Sequence, residues 1–205
     1  MSLRIGCLVA VMLTMGGASA AHAGEAMAGQ PAPEFSLTEA RGTQHSLSNY
    51  RGTFVVLEWF NHECPFVRKH YDSGNMQALQ AASTGKGVVW LTIASSAPGK
   101  QGYLTPEAAT QVIQQRKAKP TALLLDPDGT VGRRYGAKTT PHVFVINPEG
   151  VVIYAGALDD RPSFDSADLP TAPNYVRQAL DQAMAGQPVS VASTRPYGCA
   201  VKYRD

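Results

Sequence analysis

Cysteine is scarce in this 205-residue chain, with Cys7, Cys64 and Cys199 alone. So few thiols exclude a small scaffold stapled by many disulfides. An excess of charge is also missing, with 18 basic against 16 acidic residues. No apolar run is long enough to span a bilayer. The one candidate, Ile5 to Met15, is short, and Gly16-Gly17 break it. There are no internal repeats, no low-complexity tracts and no second domain.

The N-terminus instead has the parts of an export leader. Arg4 supplies the charged start, Ile5 to Met15 the apolar centre, and Ala21-His22-Ala23 a small-residue cleavage site. Cleavage is expected after Ala23, giving a periplasmic or secreted protein. The expected divisions are a leader over 1–23, one domain over 24–187 and a tail over 188–205. Cys7 leaves with the leader, and no small residues precede it as in a lipoprotein anchor. Without Arg4, 17 basic residues face 16 acidic ones. That balance excludes electrostatic binding of nucleic acid and, once the leader is cut, of membrane. It says nothing of oligomeric state.

The rest of the chain is organised around Trp59 to Tyr71. The run Phe54-Val55-Val56-Leu57-Glu58 before it has the apolar, β-branched character of a buried strand. Cys64 follows, then Pro65, which suits the first position of a helix because its missing N–H would be unpaired there. A thiol at that junction faces free N–H groups and the positive end of the helix dipole. Both favour thiolate, the reactive form. The plainer role is a small buried core residue.

Other elements are read from pattern. Residues 34–37 and 45–47 flank Arg41-Gly42-Thr43 as a hairpin. The Cys64 helix breaks at Asp72-Ser73-Gly74-Asn75 and resumes over 76–82. Residues 87–93 form another buried strand. Thr105-Pro106-Glu107 starts a helix that Pro120 ends. Residues 122–125 form a short strand and Asp126-Pro127-Asp128-Gly129 a turn. Residues 142–146 and 151–154 flank Asn147-Pro148-Glu149-Gly150 as a second hairpin. Residues 157–173 form a long polar loop. Val176, Ala179, Leu180, Ala183 and Met184 share one helix face, and Gly186 ends that helix. The tail keeps Val189, Val191, Tyr197, Val201 and Tyr203, so it docks on the body. The order predicts an α/β fold with a central mixed sheet flanked by helices.

These pieces resemble a thioredoxin-like fold of the redoxin branch. That branch includes alkyl hydroperoxide reductase, thiol-specific antioxidant proteins and exported thiol-disulfide oxidoreductases. Ala32-Pro33-Glu34-Phe35-Ser36-Leu37, with Leu47-Ser48-Asn49-Tyr50-Arg51-Gly52, resembles the entry hairpin of that branch. Asp126-Pro127-Asp128-Gly129, Tyr135-Gly136 and Thr140-Pro141 resemble its second half. Asn61-His62-Glu63-Cys64-Pro65-Phe66-Val67, together with Tyr197-Gly198-Cys199, is similar to a peroxiredoxin-like bacterial subgroup. The resemblance covers roughly 31–203.

The resemblance implies a redox-active Cys64, supported by Asn61, His62, Glu63 and Pro65. It also implies a cis Pro141 facing the cysteine, with Thr140 and Pro141 as a substrate edge for an extended peptide. The departures are specific. Val67 stands where a thioredoxin has its second cysteine. Leu57 and Asn61 stand where a peroxiredoxin has its proline and hydroxyl residue. Thr140-Pro141 stands where the late arginine would be, with Arg133 and Arg134 out of place. The shell that activates a peroxide is therefore incomplete.

Cys199 is the candidate partner of Cys64. It is either a resolving thiol or one end of a permanent staple, worth ~5 kcal/mol by loop closure in the chain-entropy model. His62, Glu63, His70 and His142 raise a copper or zinc site. Copper chaperones on this fold use Cys-x-x-x-Cys, however, and Arg68 fills that second position. No metal and no cofactor is expected.

The reading is an exported thiol-disulfide oxidoreductase acting on protein or small-molecule thiols and disulfides. A thiol peroxidase, a copper metallochaperone and a structural protein with an inert disulfide are the alternatives.

Overall fold

The computed structural model describes residues 25–205, so the expected leader and its cleavage site lie outside the described residues. The order begins with β1 (Ser36–Glu39), β2 (Gln44–Ser46) and β3 (Val55–Trp59). It continues with α1 (Pro65–Asp72), α2 (Asn75–Thr84), β4 (Val89–Ala94), α3 (Pro106–Gln115) and β5 (Ala122–Leu125). Then come α4 (Thr130–Arg134), β6 (Thr139–Thr140), β7 (His142–Ile146), β8 (Val152–Gly156), α5 (Tyr175–Met184) and β9 (Cys199–Ala200).

Seven strands make one mixed sheet in the order β2-β1-β5-β4-β3-β7-β8. β3, β4 and β5 run parallel, joined by helical crossovers, and the flanking strands pair antiparallel. This is the mixed sheet flanked by helices that the alternation of strands and helices predicts, in the thioredoxin-like arrangement that the family resemblance implies. No helix among the described residues is long and apolar enough to cross a membrane.

Strand alternation divides the core between two faces. Val56, Trp90, Val143 and Val145 face α1, α2, α3 and α5. Val55, Leu57, Trp59, Leu91, Ile93 and Phe144 face α4 and the N-terminal segment. Glu58 is the charged exception on the first face. Its buried carboxylate accepts from the Tyr71 hydroxyl (2.8 Å), Trp90 Nε1 (2.8 Å), Thr92 Oγ1 (3.1 Å) and Gln80 Nε2 (3.2 Å). Burial raises its pKa, and those four bonds pull the other way.

The helix ends follow their sequence signals. The Thr105 side chain caps α3 by accepting from Ala108 N at 3.2 Å, with Pro106 at the first position. Asn174 caps α5 through Arg177 N at 2.9 Å. The break between α1 and α2 falls at Ser73-Gly74. The tail crosses the body rather than trailing from it. Ala155 N donates to Ala192 O and Thr194 N to Ala155 O, each at 3.1 Å, and Ala97 N donates to Lys202 O at 2.8 Å.

Candidate active site

The site forms at the end of β3, where three segments meet. In the first, Cys64 is the N-cap residue of α1 with Pro65 next. The chain turns there because Cys64 N donates to Asn61 O at 3.1 Å and Glu63 N to Asn61 Oδ1 at 2.9 Å. That turn is fastened to its neighbours. Glu63 Oε2 accepts from Gly102 N at 2.5 Å, Asn61 Nδ2 donates to Gln101 O at 3.5 Å, and Arg116 donates to His62 O at 3.1 Å. So Asn61, His62 and Glu63 hold the turn. Burial is also the largest cause lowering the His62 pKa.

The second segment is Thr139–Thr140 followed by a cis Thr140–Pro141 bond. The Cys64 thiol donates to Thr140 O at 3.1 Å. The third is the tail. β9 pairs antiparallel with β6, setting Thr140 opposite Cys199 and Thr139 opposite Ala200. Both cysteines are free, and Cys199 lies close enough to Cys64 for the Cys64 thiol to affect its titration. Burial, then the neighbouring Cys64 thiol, push the Cys199 thiol up to about 11.

One expectation needs correcting. The backbone of Thr140 is not an open edge, because the protein's own tail fills it. Cys64 is 0% exposed in the reduced, tail-docked chain. Gly198 sits at φ +132, and a Cβ there would lie 2.1 Å from Thr140 O. Glycine alone lets the tail backbone approach this closely.

Several neighbours carried little or no sequence signal. Lys69 on α1 is buried and pairs with buried Asp159 at 3.4 Å. Tyr197 donates its hydroxyl to Asp159, and Phe66 packs edge-on against the Tyr197 ring at 5.8 Å. Asp159 thereby ties α1 to the tail. His70 lies 3.6 Å from Asp159, but burial holds its pKa down to about 4, so it is neutral near pH 7. Lys69 sits between Arg68 and His70 in sequence, a setting that gives no hint of its burial.

The histidines do not converge on a metal. His62 sits by Arg116, His70 by Asp159 and Asn75, and His142 by Lys138 and Phe144. No group of three or more His, Cys, Asp or Glu able to hold a metal ion occurs among the described residues. Arg133 and Arg134 serve elsewhere: Arg133 lies over the Tyr203 ring and Arg134 bonds Glu34 O.

Comparison with known proteins adds context. Residues 28–155 match the model of the AhpC/TSA family. No curated protein matches the chain. An uncharacterized conserved protein from Geobacillus kaustophilus is similar, with a TM-score of 0.74, 25% identity, and coverage of 86% of this chain and 92% of that one. A hypothetical protein from Sinorhizobium meliloti is similar at TM-score 0.71 and 24% identity, covering 88% and 97%. A putative thiol:disulfide interchange protein DsbE from Chlorobium tepidum is similar at TM-score 0.53 and 26% identity, covering 64% and 85%.

Proposed function

The chain belongs to the AhpC/TSA family of thioredoxin-fold oxidoreductases, and from that premise we propose an exported thiol-disulfide oxidoreductase with Cys64 and Cys199 as its working pair. The observation that carries this reading is the β6–β9 pairing, which holds Cys199 opposite Thr140, the residue whose carbonyl accepts from the Cys64 thiol. Likeness to a putative thiol:disulfide interchange protein supports the same class. The leader pattern of residues 1–23 supports export.

The chemistry is a two-step exchange. Cys64 thiolate attacks one sulfur of a substrate disulfide. That S–S bond breaks, and the other substrate sulfur leaves as thiolate. Cys199 thiolate then attacks Cys64 in the mixed disulfide, releasing the second substrate sulfur. The substrate gains two electrons and two protons, and the enzyme keeps a Cys64–Cys199 disulfide. Run in reverse, the same steps oxidise a substrate dithiol.

Exchange is favoured over peroxide reduction by what surrounds the sulfur. Cys64 Sγ donates to the Thr140 carbonyl oxygen and has the Cys199 thiol as its neighbour. No arginine or hydroxyl donor to it occurs among the described residues, and such donors are what activate a departing peroxide oxygen. Stopped-flow oxidation with mass spectrometry of the products tests this. Cys64→Ser should abolish turnover of disulfide substrates, and Cys199→Ser should trap a mixed disulfide on Cys64. Rapid Cys64-dependent consumption of hydrogen peroxide, with sulfenic acid accumulating in Cys199→Ser, would make the protein a peroxidase instead.

A further inference from the structure

Building on the exchange reading, we propose that the tail strand is a pseudosubstrate. It occupies the edge at which Cys64 engages an extended polypeptide, and the preferred polypeptide carries glycine immediately before its reactive cysteine.

Three observations carry this. First, β9 adds to β6 as a short antiparallel strand, which is how an extended peptide adds to an exposed sheet edge. Its cysteine stands against Cys64 where a substrate sulfur would have to stand. With the tail docked, Cys64 is fully buried and no outside sulfur reaches it. A polypeptide and the tail therefore compete for one place.

Second, the register is selective. The residue before the cysteine, Gly198, has a backbone that side-chain-bearing residues avoid, and its Cα faces Thr140 O too closely for any Cβ. A peptide entering in the tail's register meets the same wall.

Third, the docked tail is anchored on both sides of the cysteine, and the stretch just before it borders open space and is held chiefly through Tyr197 to Asp159. Behind it, the Thr194 hydroxyl accepts from Ala157 N at 2.9 Å and bonds the Tyr154 hydroxyl at 2.7 Å. Ahead of it, Tyr203 donates to Ala137 O at 2.7 Å. Tyr203 also fills a slot where a Cβ on Gly129 or Gly132 would come within 2.4 Å of its ring or hydroxyl. Between the anchors, Arg195, Tyr197 and Gly198 border an open cavity of about 610 Å³ shared with Thr139, Asp159 and Asp160. The strand has room to swing out while Thr194 stays fixed.

The cycle then has an order. The tail leaves, a substrate disulfide takes its edge, and Cys64 thiolate attacks the substrate cysteine that follows glycine. The substrate S–S bond breaks, and its other sulfur departs with the electron pair and takes a proton. The half still joined to Cys64 swings off the edge as the tail returns, because Cys199 must attack Cys64 from that same place. That attack forms the Cys64–Cys199 bond and breaks the mixed disulfide, and the second substrate sulfur leaves with the electron pair and takes a proton.

The gate is tested by iodoacetamide alkylation, read at Cys64 by mass spectrometry in the Cys199→Ser background. Adding Tyr203→Ala, or Arg133→Ala, which removes the cation over the Tyr203 ring, should accelerate alkylation of Cys64 about tenfold by favouring local opening. Unchanged rates in both variants would overturn the gate. A peptide copying residues 195–203, with serine in place of the cysteine, should then slow alkylation in the Tyr203→Ala variant. The same peptide with alanine in place of the glycine should not. Equal protection by both would overturn the glycine rule, and protection by neither would overturn the shared edge. The matching cysteine peptides, presented as mixed disulfides, test the exchange itself. Faster exchange with the glycine peptide supports the substrate class. Failure of both to exchange, with gating and protection intact, would remove the oxidoreductase reading and the substrate class while leaving the tail as occupant of the edge.

Discussion

At the scale of single residues, the two thiols differ in environment, and that difference sets a rate. The Cys199 thiol is pushed up to about 11, so at neutral pH it is almost wholly protonated. Attack requires the thiolate. The thiolate fraction of such a group grows about tenfold per pH unit below its pKa. Burial, the largest of these causes, persists when Cys64 is tied up in a mixed disulfide, whereas the influence of the Cys64 thiol does not, so the step in which Cys199 resolves it should accelerate as pH rises above 7. Single-turnover kinetics starting from the isolated mixed disulfide would measure it, and a pH-independent rate would show that tail movement limits instead. Glu58 poses a different residue problem. Four donors converge on its carboxylate in a closed pocket. Glu58→Leu leaves them unpaired and should cost about 3 kcal/mol or more in urea unfolding. Glu58→Gln keeps the shape but turns an amide N–H₂ toward donors, and should cost about 1–3 kcal/mol. Cys64, Asn61, His62, Glu63 and Pro65 were readable as a cluster because they are contiguous. The Lys69–Asp159–Tyr197 group was not, because its members lie on a helix, a loop and the tail with no shared pattern.

At the scale of elements, legibility followed length and local chemistry. The hairpins, β3, α5 and the start of α3 carry their own periodicity, turn residues and caps, so sequence alone places them within a residue or two, whereas the end of α3, expected at Pro120, falls at Gln115. Neither β6 nor β9 has such a signal. Each is two residues long, and their pairing joins Thr140 to Cys199 across most of the second half of the chain. That pairing is why Thr140 looked like a free edge. α4 escaped for a related reason. Its five residues are too few for a period, and Asp126 organises it from outside by accepting from Val131 N at 3.2 Å and Gly132 N at 2.9 Å. The elements around the site are tied through Asp159, which meets Lys69 of α1 and Tyr197 of the tail. Asp159→Ala strands the buried Lys69 charge, so the fold should lose about 3–5 kcal/mol. Asp159→Asn keeps hydrogen-bonding oxygen for Tyr197 or Lys69 and should lose less. If Asp159→Ala instead leaves stability unchanged, Lys69 finds its compensation in Arg161 O, 2.9 Å away.

For the whole molecule, covering both faces of the sheet buries titratable groups that water would otherwise charge, and this makes stability depend on pH. Burial holds His70 down to about 4, against the pull of Asp159 and with the help of Lys69. Burial, then the Lys138 charge, hold His142 down to about 4. Both start from 6.5 when unperturbed. Between 4 and 6.5 the unfolded chain thus binds protons that the folded chain refuses. Stability is full above about 6.5 and falls as the pH drops through that window. Each histidine can contribute about 3 kcal/mol over the full shift. Glu58 and Asp126 work in the opposite sense. Burial raises both, so they take protons more readily folded than unfolded, and their contribution is present at low pH and lost as pH rises through the folded values. They therefore soften the decline that the histidines impose as pH falls. Urea midpoints measured from pH 7 down to pH 5 should decline steadily, and His142→Asn should flatten that decline by about one proton's share. A variant profile as steep as the original would mean that His142 is already charged in the folded protein, with an unseen partner for its proton.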